Sequence, residues 1–197
     1  MTIETAPGYV AFQGDRLLAQ GDLHSVVAAI KPLIDRGDHG VLVFDASARP
    51  VDFDLRGTLA DVLARLPSAE QAAEPKSEDE EPRGRGRPKL GVVAREVTLL
   101  PRHWEWLGRQ RGGASVALRR LVDAARHASA DSDRVRAAQE AAHRFMTVMA
   151  GDRPHYEDAA RALFAGDSAK FARCTQAWPA DIRDHARRLA QPAWPPG

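Results

Sequence analysis

Pro82-Arg83-Gly84-Arg85-Gly86-Arg87-Pro88-Lys89, followed by Arg95-Glu96-Val97-Thr98-Leu99-Leu100, Pro101-Arg102-His103-Trp104-Glu105-Trp106-Leu107 and Gly112-Gly113-Ala114-Ser115-Val116-Ala117-Leu118, is the stretch on which the fold turns. It opens as a basic Gly/Pro arm. After the arm, Val97 and Leu99 can face a core while Thr98 points away, which predicts a short strand. Pro101 is placed to start a helix, Gly112-Gly113 to break it, and Ser115 to cap a second helix carrying Val116, Leu118, Leu121 and Val122. Trp104 and Trp106 stand two apart and cannot share one helical face, so one is expected to pack and the other to lie at an interface.

The arm has its own chemistry. The minor groove of A·T-rich DNA presents acceptors on its floor and concentrates negative potential between its walls, so an extended peptide flanked by arginines fits it. Gly86-Arg87-Pro88 resembles an AT-hook core. In that reading Pro88 keeps the chain extended and Gly86 allows close approach; Arg85 and Arg87 reach acceptors, while Arg83 and Lys89 meet phosphates. Arg/Gly/Pro tracts also bind RNA or serve as charged linkers.

The strand and two helices resemble the ribbon-helix-helix family, in which one strand from each of two subunits pairs into a ribbon that enters the major groove. Gly113-Ala114-Ser115 is similar to that family's Gly-x-Ser turn, where helix-start amides hold a phosphate. The resemblance implies a homodimer on DNA, with Arg95, Thr98 and Ser115 toward nucleic acid and Val97, Leu99, Trp104 and Trp106 toward the partner. One parity of the strand offers Glu96, Thr98 and Leu100 and the other Arg95, Val97 and Leu99, so neither face is a good base reader. Specificity then falls to the arm, or the ribbon serves dimerisation alone. The text from Gly86 to Arg126, and the regions on both sides of it, are also similar to an uncharacterised bacterial family, domain of unknown function 2239, a resemblance that implies no activity.

Whole-chain charge conceals this arrangement. The 197 residues carry a formal net charge of +1. Yet Glu70, Glu74, Glu78, Asp79, Glu80 and Glu81 precede the arm, and Arg83, Arg85, Arg87, Lys89 and Arg95 follow without an intervening acid. With 44% hydrophobic residues the chain has the composition of a soluble globular protein. Met1-Thr2-Ile3-Glu4-Thr5-Ala6-Pro7 has no signal-peptide pattern and no membrane span is visible, so the expected location is the cytoplasm. Cys174, the single cysteine, rules out an internal disulfide and a cysteine zinc cage.

Outward from the centre, the expected class is α+β. Residues 8–66 read as a small α/β domain of ββαββα type. Tyr9–Phe12 and Arg16–Ala19 flank a Gln13-Gly14-Asp15 turn; Asp22 caps a helix to Arg36 that Pro32 should kink; Gly40–Asp45 and Val51–Leu55 form a second hairpin; and Thr58-Leu59-Ala60-Asp61 is a capping box for a helix ending near Leu66. Asp45, Asp52 and Asp54 invite a metal reading, but strand alternation assigns Asp52 and Asp54 to a solvent face, and no metal is expected. Residues 67–90 read as a disordered linker with the basic arm, either a tether or an acidic segment folding back on the arm. Residues 91–128 hold the ribbon-helix-helix-like segment, and residues 132–191 a helical bundle with corners at Ala150-Gly151-Asp152 and Ala165-Gly166-Asp167. His24, His39, His103, His127, His143, His155 and His185 show no catalytic or metal-ligand spacing, and neither Gly-x-Ser-x-Gly nor a P-loop occurs. The chain therefore reads as a non-enzymatic DNA-binding regulator without cofactor. The rival reading is a protein-interaction module whose ribbon only dimerises.

Overall fold

A computed structural model describes residues 8–67 and 95–194. The protein is α+β and mostly helical, with one four-stranded antiparallel sheet and seven α-helices among the described residues. It divides into two compact units, one formed by residues 1–66 with 131–197 and the other by residues 67–130. The segments that read from sequence as separate, 8–66 and 132–191, thus share one unit.

In the first unit β1 (Tyr9–Gln13) and β2 (Arg16–Gly21) form a hairpin across Gly14, whose φ of 54° is the left-handed conformation such a two-residue turn requires. Ala11 pairs with Ala19 but Phe12 with Leu17, so one extra residue is accommodated as a bulge in β2. α1 (Leu23–Asp35) starts at Asp22, whose carboxylate accepts from the Ser25 amide at 3.0 Å, and Gly37 follows its end at φ 85°. The helix continues through Pro32. β3 (Val41–Asp45) pairs with β1, giving the order β2-β1-β3-β4.

The second hairpin is shorter than expected, because β4 is only Pro50–Val51. Pro50 cannot donate to the ladder, and Asp54 is drawn into a pair with Arg56 at 2.8 Å, so the following residues leave the sheet. The alternation nevertheless persists: Asp52 and Asp54 are exposed while Val51, Phe53 and Leu55 are half-buried. α2 (Leu59–Arg65) carries the complete capping box, with Thr58 Oγ1 accepting from the Asp61 amide and Asp61 accepting from the Thr58 amide.

Both faces of the sheet are covered. Ala11 and Val43 pack with Val26 and Ile30 of α1, and a neighbouring cluster joins Leu23 and Val27 to Val62 of α2. On the opposite face Val10, Phe12 and Phe44 enter the main core with residues beyond 140. Burial on both sides explains why Tyr9–Phe12 and Val41–Phe44 are continuous apolar runs rather than alternating ones.

Those later residues come from α4 (Gly113–Ala150), α5 (Tyr156–Phe164), α6 (Ser168–Cys174) and α7 (Ala180–Ala190), followed by a 3₁₀ turn at Gln191–Ala193. Ala142, Phe145 and Met146 of α4 and Ile182 and Ala186 of α7 are fully buried. Polar contacts fix the helices on the sheet: Asp181 accepts from the Leu17 amide beside the bulge at 2.8 Å, Arg188 donates to Gln20 at 2.8 Å, and Arg153 pairs with Asp15. Arg187 donates to Thr175 Oγ1 at 3.0 Å and so closes the end of α6.

The two glycine corners differ. At Gly166 the φ is 73°, and Asp167 accepts from the Lys170 amide at 2.8 Å, as the pattern predicts. At Gly151 the left-handed residue is instead His155, φ 63°, and Asp152 does not cap α5. Gly151 serves close approach, since a Cβ there would lie 2.8 Å from the Thr147 carbonyl oxygen. Phe164 is exposed, although its helical spacing would place it with the core residue Leu163, and its ring lies 5.3 Å from that of His143.

In the second unit α3 (Pro101–Gly108) begins at Pro101 as expected, and Gly112 and Gly113 both take positive φ. A Cβ on Gly112 would meet the Val116 side chain at 3.1 Å, which accounts for glycine there. Two expectations change. α4 already starts at Gly113, so Ser115 lies inside its first turn rather than capping it. The helix also does not stop near His127; no Gly or Pro occurs between Gly113 and Gly151, and one helix of 38 residues replaces the two that were read on either side of residues 129–131.

Candidate nucleic-acid interface

The arm residues Arg83, Arg85, Gly86, Arg87, Pro88 and Lys89 lie outside the described residues. Arg95, Thr98 and Ser115 are exposed in the second unit. Residues 95–100 form no strand within the single chain; Val97 and Leu100 are exposed and Leu99 is half-buried. Neither tryptophan packs into the core: Trp104 is 43% and Trp106 51% exposed, and Leu107 is the buried residue of α3.

Apolar exposure continues along the start of α4, where Leu121 and Val122 are 48% and 53% exposed. Trp106 of α3, Gln110 of the following turn, and Ala117, Arg120, Leu121, Asp123 and Ala124 of α4 line a groove of about 420 Å³. The groove is lined by an indole, an arginine and an acid, an arrangement that can stack on or hydrogen-bond a flat partner.

Charge on this unit is distributed unlike charge elsewhere. Between residues 95 and 127 there are seven arginines (Arg95, Arg102, Arg109, Arg111, Arg119, Arg120 and Arg126) against Glu96, Glu105 and Asp123. All seven are exposed, and among the described residues none forms an ion pair. In the first unit arginines hold structure: Arg56 pairs with Asp54, Arg153 with Asp15, Arg161 with Asp158, and Arg144 donates twice to the Ser47 carbonyl at 2.9 and 3.1 Å. Arg109, Arg111, Arg119, Arg120 and Arg126 were readable as charges in the sequence, but not their lack of ion pairs among the described residues, because that depends on where Asp and Glu side chains fall in three dimensions; Arg119 donates to the Ser115 carbonyl at 3.2 Å.

A second concave site belongs to the first unit. Arg134, Ala138 and Ala141 of α4, Arg188 and Leu189 of α7 and the Asp45–Ser47 loop line a cleft of about 350 Å³. Sequence reasoning missed it, because the two arginines stand far apart in the chain and no local motif joins them. Among the described residues no group of three His, Cys, Asp or Glu side chains is placed to hold a metal ion, and no helix is long and apolar enough to cross a membrane.

A four-stranded antiparallel sheet enclosed by helices, joined in sequence to a basic helical unit, defines a predominantly helical α+β protein. The chain belongs to domain of unknown function 2239, an uncharacterised protein family conserved in bacteria, whose family model matches residues 8–190. No curated protein and no solved structure matches it.

Proposed function

We propose that the protein is a non-catalytic, cytoplasmic DNA-binding regulator or nucleoid-associated protein that acts as a homodimer. The observation that carries this reading is the set of seven exposed arginines on the α3–α4 unit that form no ion pair among the described residues, directly after an Arg/Gly/Pro arm. Exposed guanidinium groups not engaged with carboxylates are available to phosphate oxygens, and an A·T-preferring arm in the minor groove supplies the sequence preference that the strand lacks. A ribbon formed by residues 95–100 of two copies cures the unpaired backbone of that segment and covers Val97, Leu99 and Trp104.

The exposed tryptophans and the apolar start of α4 also favour a second reading, in which the same unit binds a protein partner and the ribbon only dimerises. Salt dependence separates the two. Binding to A·T-rich and G·C-rich duplexes, followed by fluorescence anisotropy at low and physiological salt, is expected to show an A·T preference. The affinity should fall by about a hundredfold or more with added salt, because several phosphates release counterions. Absence of duplex binding at low salt refutes the DNA reading.

A further inference from the structure

We propose that the cleft between α4, α7 and the β3–β4 loop binds a small amphipathic carboxylate, with an apolar body on the alanine floor and a single anionic head between Arg134 and Arg188. Its volume of about 350 Å³ falls in the range of small-ligand sites. The floor is short-chained: Ala138 and Ala141 of α4 present methyl groups where larger side chains would close the space, and Leu189 and Pro192 form an apolar wall.

Two arginines from different helices line the cleft. Arg134 uses one amino group on Asp131 at 3.2 Å. Arg188 donates through Nη1 to Gln20 at 2.8 Å, and its Nη2 lies 3.1 Å from Nδ1 of the buried His185, which holds the guanidinium in place. A guanidinium has five N–H donors in a planar fork, so both retain donors for a carboxylate.

The facing wall is preorganised. Asp45 Oδ1 accepts from the Ser47 and Arg49 amides at 2.8 and 2.9 Å, Arg144 holds the Ser47 carbonyl from α4, and Ala48 is buried with φ 55°. Such a non-glycine residue in the left-handed region persists where surrounding contacts determine the backbone. Asp45 is the one acid in the lining; its Oδ1 accepts from amides of its own loop, and its charge disfavours a second charge on the ligand.

Titration of the full chain with hexanoate, benzoate, indole-3-acetate and dodecanoate, followed by calorimetry and by chemical-shift changes, tests the site, with benzyl alcohol as the neutral counterpart of benzoate. At least one carboxylate should bind saturably at one per chain. If that ligand is benzoate, the alcohol should bind about tenfold or more weakly. Arg134→Gln, which removes the head-group contact, and Ala137→Leu, which fills the cleft from an exposed helical position, should each weaken the bound carboxylate about tenfold. Retained helical circular dichroism shows that both variants are folded. Failure of every carboxylate to bind at millimolar concentration overturns the proposal, as does equal binding of the alcohol or unchanged affinity in both variants.

Discussion

The imidazole of His185 lies 4.5 Å, centroid to centroid, from the ring of Phe145 and 5.5 Å from that of Phe12, inside the core that joins α4 and α7 to the sheet. Burial there, reinforced by the Arg188 guanidinium, pushes its pKa down from 6.5 to about 4. The neutral ring is the form the folded state accepts. Its contribution to stability is therefore complete above pH 6.5, declines as pH falls toward 4, and reaches a loss of up to about 3 kcal/mol. Urea unfolding of the parent from pH 7.5 to 4 should show this decline, and His185→Phe should flatten it. A parent whose unfolding midpoint is constant over that window contradicts a neutral buried histidine.

Phe12 joins the two chain segments of the first unit through rings of Phe44 and Phe145 at 6.4 and 5.3 Å. Phe12→Ala is expected to cost about 3–5 kcal/mol, because the cavity opens where sheet and helices meet and neither can collapse into it alone. One cooperative transition should report the loss in circular dichroism and in tryptophan fluorescence alike, since Trp178 is buried in the same cluster. Two separate transitions would show that residues 8–66 and the later helices fold independently.

The two corner glycines differ in substitution cost. Gly166→Ala meets open space and suffers only the left-handed backbone, a cost of about 1 kcal/mol. Gly151→Ala drives a Cβ to 2.8 Å from a backbone oxygen in α4, so the helix end itself has to move. Thermal denaturation should rank Gly151→Ala as the more destabilised variant; the reverse order would remove close approach as the reason for that glycine.

The proposed dimer is tested by Leu99→Asp. A charge placed in a ribbon that two copies share costs several kcal/mol per subunit, by an estimate of roughly 2–7 kcal/mol for an unsatisfied polar group and more for a charge. Sedimentation should find the parent dimeric at micromolar concentration and the variant monomeric. A monomeric parent removes the ribbon reading.

Local chemistry was legible in the sequence, and long-range assembly was not. Asp22, the Thr58–Asp61 box, the Gly14 turn and Pro101 act through neighbours a few residues away, so their geometry follows from residue type and spacing. Asp181 on the Leu17 amide, Arg153 on Asp15 and Arg144 on the Ser47 carbonyl join residues that no periodicity relates. One signal was available: Tyr9-Val10-Ala11-Phe12 has no polar alternation, and a strand apolar on both sides needs two covers, whereas α1 and α2 supply only one. The exposure of Trp104 and Phe164 was not legible, because helical spacing shows which residues share a face and not whether anything lies against it.

The divided first unit has a consequence for synthesis. A ribosome releases the sheet with one face already covered by α1 and α2, but Val10, Phe12 and Phe44 stay bare until Phe145 of α4, and then α7, emerge about a hundred residues or more later. At bacterial elongation rates that interval lasts roughly 5–25 seconds. Throughout it the nascent chain displays an aromatic sheet surface, the kind of transiently exposed apolar face that is prone to aggregation until its cover arrives.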